Sequence, residues 1–122
     1  MAKKVLVVDD SKSIVAMVRY SLEKTGYQVF SAHDGQEGLE RLKEAQGADI
    51  IICDLNMPNM DGLTMLKAVK ASPEYAGIPF LMLTTEAQQS MRQQAKEAGA
   101  RAWIIKPFTD EQIRGAVEKF IK

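Results

Sequence analysis

Asp9 and Asp10 stand side by side directly after the apolar run Val5–Val8. A third carboxylate, Asp54, follows a run of three isoleucines and Cys53; Thr84 and Thr85 follow a run ending at Leu83; Lys106 follows Ala102–Ile105. Each polar group closes an otherwise apolar stretch. Two carboxylates about 4 Å apart repel by roughly 4 kcal/mol at an effective dielectric near 20. Such a cluster therefore stays partly protonated or takes a cation. A hard divalent ion with oxygen ligands is the natural partner, and Mg²⁺ suits a site of few carboxylates plus a phosphate. Taken singly, each residue has a plainer reading. Asp10 before Ser11 fits a helix N-cap, Asp54 fits the start of a turn, Thr84 fits an ordinary β-branched strand residue, and Lys106 fits a solvated loop.

The carboxylates meet only if the apolar runs lie parallel in one sheet. Val5–Val8, Tyr27–Ala32, Asp49–Cys53, Pro79–Leu83 and Ala102–Ile105 read as strands. Several are continuously apolar, as strands covered on both faces are. Helical periodicity fills the gaps. Ile14, Val18 and Leu22 form one stripe, ended at Thr25-Gly26. Asp34-Gly35 opens a second helix with Leu39 and Leu42, closed near Gly47. The third spans Leu63–Ala71 and stops at Ser72-Pro73. A fourth covers Ala87–Ala98 before Gly99, and Thr109 caps a fifth bearing Ile113, Val117, Phe120 and Ile121. Strict β-α alternation implies an α/β fold, a five-stranded parallel sheet with helices on both faces. Its strand C-termini share one edge, where ligands of open α/β sheets bind. The fourth helix offers only Met91 and a few alanines to a core, so it is the most weakly anchored.

At 122 residues the chain is expected to form one domain over 1–122 with no output domain. With 16 basic and 16 acidic residues the net charge is zero, which removes the usual warrant for nucleic-acid binding. No apolar run is long enough for a membrane span. The single Cys53 fits a reducing compartment, and a cytoplasmic monomer is expected. Strand alternation points Cys53 away from Asp54. His33 reads as a surface or helix-start residue, and Asp61-Gly62 as a turn and cap before the third helix.

Taken together, Asp9-Asp10, Cys53–Gly62 (CDLNMPNMDG), Leu83–Glu86 (LTTE) and Trp103–Phe108 (WIIKPF) resemble the response-regulator receiver domain along the whole chain, most closely the stand-alone, CheY-like chemotaxis type. The resemblance implies a flavodoxin-like (βα)5 fold with strand order 2-1-3-4-5. It implies that Asp54 is the phosphoacceptor for a histidine kinase. Mg²⁺ would be held by Asp10, Asp54 and the backbone carbonyl of Asn56, with Asp9 on a coordinated water. Lys106 and Thr84 would contact the phosphoryl group, and Lys106-Pro107 would be a cis peptide. Positioning and charge neutralisation are what phosphoryl transfer requires.

By the same resemblance Thr84 and Trp103 form the switch, with Trp103 where many relatives carry Tyr or Phe. Asn56 and Glu86 tune hydrolysis toward a short-lived phosphate. The fourth helix, fifth strand and fifth helix form the face for a target protein, a flagellar motor switch or a phosphatase. Arg92 and Gln88 depart from the motor-binding pattern, which leaves a phosphate-sink role open. A Mg²⁺-dependent phosphatase with an aspartyl nucleophile is the competing reading, against which Asn56 stands in place of a second acid-base aspartate.

Overall fold

Branched and apolar side chains dominate the strand segments, and extended backbone lets them pack on both faces of a sheet. The computed structural model describes residues 2–121, with the side chains of Glu86 and Ala87 outside the description. The elements are β1 (Lys4–Val8), α1 (Lys12–Glu23), β2 (Gln28–Ala32), α2 (Gly35–Ala45), β3 (Ile50–Asp54), α3 (Gly62–Ala71), β4 (Phe80–Thr84), a 3₁₀ segment (Glu86–Met91), α4 (Arg92–Ala98), β5 (Ala102–Ile105) and α5 (Asp110–Phe120). All strand pairs are parallel and the order is β2-β1-β3-β4-β5. This is the α/β architecture and strand order expected above.

Alternate strand residues feed opposite layers. Val5, Val7, Ile50, Ile52, Leu81 and Leu83 pack with Val18 and Leu22 of α1 and with Ile113 and Val117 of α5. Leu6, Val8, Ile51, Cys53, Phe80 and Met82 pack with Leu42 of α2, with Met65, Leu66 and Val69 of α3, and with Ala95 of α4. Cys53 thus faces Met65, its thiol also donating to the Asp54 carbonyl oxygen at 3.3 Å, and its burial pushes the thiol well above its ordinary range. Among the described residues no helix is long and apolar enough to cross a membrane.

Element boundaries differ from the sequence reading by a residue at several ends, and two of these bear on the site. Asp54 and Thr84 are the last residues of their strands rather than the first beyond them. The Leu55 N–H reaches Leu83 O at 3.0 Å and the Lys106 N–H reaches Thr84 O at 2.6 Å, so the ladder extends through both. The helix expected over Ala87–Ala98 is divided into the 3₁₀ segment and a seven-residue α4. Short helices owe their stability to tertiary packing of an apolar face, and Ala95 is the only residue of α4 that is buried. A tighter 3₁₀ turn, common at helix starts, takes over where that face is missing.

Candidate functional site

The strand ends converge at one edge. Asp9, just past β1, is 1% exposed, and its N–H is bonded to Ala32 O on β2. Its Oδ1 accepts the Ser11 N–H at 2.9 Å and its Oδ2 accepts Lys106 Nζ at 2.9 Å. The same Nζ lies 3.2 Å from Asp54 Oδ1, so one ammonium bridges two carboxylates from two strands. Asp54 is 6% exposed. Carboxylate oxygens of Asp9, Asp10 and Asp54 all lie within 4.8 Å of one another.

Asp10 is the exposed member of the three, and it has no hydrogen bond or ion pair among the described residues. It does not cap α1. Ser11 does, its side chain accepting the Ile14 N–H at 3.3 Å. The plain N-cap reading of Asp10 is therefore corrected: a hydroxyl one residue later satisfies the helix and leaves this carboxylate free toward the cluster. Burial holds the Asp54 carboxyl above its ordinary range, Asp9 adds to that rise, and Lys106 opposes it. For Lys106 burial acts downward, yet the hydrogen bond it donates to Asp9 and the charge of Asp54 leave its ammonium more basic than usual. Three carboxylates against one ammonium leave negative charge in excess. The donor set is all oxygen, with one free carboxylate at the mouth. That chemistry fits a hard divalent cation such as Mg²⁺.

Thr84 is fully buried and its Oγ1 has no hydrogen-bond partner among the described residues. Trp103 is half-buried; its Nε1 is buried and likewise unpartnered. The Lys106–Pro107 peptide is cis. Asn56 is exposed on the loop after β3 and lines a recess of about 180 Å³ with Leu55, Asp61, Leu63, Gln88 and Met91. The Glu86 side chain lies outside the described residues.

Sequence reasoning missed how tightly that loop is fixed. Asp61 caps α3 by accepting the Thr64 N–H at 2.8 Å, as its place in the sequence suggests. Gly62 does more than turn the chain. A Cβ there would lie 2.3 Å from the Asp54 carbonyl oxygen and 3.0 Å from Leu55 Cα. Only glycine lets α3 start against the backbone of Asp54. The available signal was a glycine at a helical position, where it is otherwise unfavourable. From the far side, Asn59 in the left-handed region (φ 65°) donates Nδ2 to Asp34 Oδ2 at 2.8 Å, and the Gly35 N–H bonds Met60 O at 2.9 Å. The start of α2 thereby anchors the loop that carries Asn56.

A family model described as the response regulator receiver domain matches residues 5–118, and the chain belongs to that family. Among solved structures, the chemotaxis response regulator CheY4 of Vibrio cholerae is 41% identical, with a TM-score of 0.92 covering 99% of this chain and 100% of that one. A response regulator from Chloroflexus aurantiacus J-10-fl is 32% identical with a TM-score of 0.92, covering 98% of each chain. The alkaline phosphatase synthesis transcriptional regulatory protein PhoP of Bacillus subtilis (strain 168) is 34% identical over all 122 residues. The chain spans about half the length of that curated relative. Receiver domains bind Mg²⁺ at an acidic pocket and take phosphoryl groups from histidine kinases; this chain gathers Asp9, Asp10 and Asp54 in one acidic cluster.

Proposed function

We propose that this chain is a phosphorylatable switch of a two-component relay, acting in the cytoplasm, with Asp54 as its phosphoacceptor. The observation that carries the reading is Lys106 Nζ, 3.2 Å from Asp54 Oδ1 and 2.9 Å from Asp9 Oδ2, beside the free Asp10. An Asp54 carboxylate oxygen attacks the phosphorus of a kinase phosphohistidine; the P–N bond breaks, the imidazole leaves, and an acyl phosphate remains. Lys106, already beside the nucleophile, transfers its contact to a phosphoryl oxygen. The Thr84 hydroxyl, unpartnered at the end of β4, donates to another. Asp10, Asp54 and the Asn56 carbonyl would hold Mg²⁺, with Asp9 on a coordinated water. The ion would offset charge on the phosphoryl oxygens.

The chain's similarity to CheY4 over its full length favours chemotaxis as the setting. The target would dock on α4, β5 and α5 as a monomeric partner surface, in a flagellar motor switch or a phosphatase. Arg92 and Gln88 keep a phosphate-sink role in view. Asn56 and Glu86 set a short phosphate lifetime.

Mass spectrometry after acetyl phosphate and Mg²⁺ tests the proposal. One added phosphoryl group on wild type and none on Asp54→Asn or after chelation is expected. Steady turnover of assorted phosphoesters, without a stable dependence on Asp54 phosphorylation, would establish the phosphatase reading instead.

A further inference from the structure

The loop between β3 and α3 carries Asn56, and it is held at both its base and its tip. At the base, the Leu55 N–H bonds Leu83 O at 3.0 Å and the Gly62 N–H bonds Leu55 O at 2.9 Å. Leu55 and Met57 are buried, whereas Asn56, Pro58 and Asn59 are exposed. Packing therefore fixes the near half of the loop, and the exposed half depends on hydrogen bonds.

Those bonds come from the start of α2, an element that gives no residue to the carboxylate cluster. The Gly35 N–H bonds Met60 O at 2.9 Å, and Asn59 Nδ2 donates to Asp34 Oδ2 at 2.8 Å. Both contacts demand particular residues. A Cβ on Gly35 would lie 2.8 Å from Met60 Cγ and 2.9 Å from Met60 O, so glycine permits the approach. Asn59 has φ 65°, a region that asparagine enters more readily than most residues with a side chain. Asp34 divides its carboxylate between two roles. Its Oδ1 accepts the Glu37 N–H at 2.9 Å and caps α2, while its Oδ2 receives Asn59. Glu37 Oε1 in turn accepts the His33 N–H at 2.6 Å, which ties the cap to the residue before it. Accepting from Glu37 and from Asn59 holds the Asp34 carboxyl below its ordinary range, so both oxygens stay acceptors at neutral pH. A cap needs one oxygen. The second is committed to the loop.

An exposed hydrogen bond adds little to fold stability, because water replaces a lost partner. It can still limit how far the exposed half of a loop moves. A ligand group already in place loses less freedom when its cation arrives. We propose that Asp34 is a positioning residue for the cation site: through Asn59 it holds the β3–α3 loop so that the Asn56 carbonyl is in place when Mg²⁺ reaches Asp10 and Asp54. This rests on the reading that the Asn56 carbonyl is a Mg²⁺ ligand.

Two substitutions of equal charge isolate the bond. Asp34→Asn and Asp34→Ser each remove one carboxylate, and each leaves a good N-cap. In Asp34→Asn the two amides can still pair, one presenting its oxygen and the other its N–H. The hydroxyl in Asp34→Ser is too short to reach Asn59 while it caps α2. In metal-free protein, nitrogen-15 relaxation of the Met57 and Asn59 amides should match wild type for Asp34→Asn and show added fast motion for Asp34→Ser. By isothermal titration calorimetry, Asp34→Ser should bind Mg²⁺ about threefold to tenfold more weakly than Asp34→Asn, the range one hydrogen bond supplies. The urea midpoints of the two variants should stay close. Equal Mg²⁺ affinity in the two variants overturns the proposal. So does a weaker Asp34→Ser whose loop relaxation is unchanged and whose urea midpoint has fallen, the result a purely structural cap would give. Wild type that takes up no Mg²⁺ fails differently: it removes the cation reading itself, before any variant is compared, and this inference with it.

Discussion

The β4–α4 and β5–α5 units have the same connectivity and both open on a Thr-x-x-Gln capping box, at Thr85 and at Thr109, yet they differ in how firmly the helix that follows is packed. After β5, the Thr109 side chain accepts the Gln112 N–H at 3.1 Å while Gln112 Oε1 accepts the Thr109 N–H at 2.8 Å, closing a capping box. Asp110 and Glu111 then place negative charge at the start of α5, where the helix dipole favours it. Asp110 accepts hydrogen bonds from Ser21 of α1 and from Lys24 just past its end, and Ile113 and Val117 are fully buried. After β4 the chain enters a 3₁₀ segment, and α4 buries Ala95 alone among its residues. Both units end their strands at the same site, one through Lys106 and the other through Thr84. The unit holding the ion-paired lysine is anchored firmly; the unit holding the unpartnered hydroxyl is anchored lightly. Low-stability elements are the ones that can shift at little cost, so of the two units the β4–α4 one is the easier to displace.

The strand ends should show the contrast most strongly. Lys106→Met leaves buried Asp9 facing Asp54 without a counter-charge and should destabilise the fold by about 3–5 kcal/mol in urea denaturation. Because the folded state raises the basicity of Lys106, its contribution is full below the ordinary lysine pKa and fades as alkali carries the pH through the raised value. Thr84→Val removes a hydroxyl with no partner and should be neutral or stabilising by about 1 kcal/mol. Equal losses at the two positions would erase the distinction between the units.

The helix cores come next. Ile113→Ala in α5 should cost about 3 kcal/mol, whereas Ala95→Gly in α4 should cost about 1 kcal/mol. Native-state hydrogen exchange should follow the same order, with α4 amides opening at lower free energy than those of α5. Smaller again are the caps. Thr109→Ala should cost about 1 kcal/mol. Thr85→Ala should cost only a few tenths, since the Gln88 side chain bonds the Thr85 backbone N–H, which alanine keeps. A Thr85→Ala loss as large as that of Thr109→Ala would mean the 3₁₀ segment is as firmly seated as α5.

The last effect has the opposite sign. Burial raises the Asp54 pKa, so the ionised carboxylate weakens the fold and its protonation strengthens it. Asp54→Asn should raise the melting midpoint at neutral pH without metal. The gain should shrink as the pH falls and wild-type Asp54 takes up its proton. Thermal scans at neutral and acidic pH decide this.

Much of this architecture is legible in the residues themselves. Ile50–Ile52 and Leu81–Leu83 are apolar without alternation, as strands covered on both faces are, and their short length, with the β-branched isoleucines of the first, favours strand over helix. Asp9, Asp54, Thr84 and Lys106 each end one of these runs, so parallel topology alone brings them to one edge. The division of the fourth helix is not legible, because Gln93, Gln94 and Lys96 have good helical propensity and the missing partner is a tertiary contact. Nor is the role of Gly62, whose need for a bare Cα comes from the carbonyl of Asp54 pressed against it.

The sequence by itself determined the alternation of elements, the helix caps at Asp34, Asp61 and Thr109, and which polar groups would share an edge. These follow from periodicity and local hydrogen bonding, which act over a few residues. Tertiary structure decided that Lys106 bridges Asp9 as well as Asp54, that Asp10 stays free, and that Trp103 Nε1 is buried. Those outcomes depend on distances between residues as many as 97 positions apart, which packing sets and no local pattern encodes.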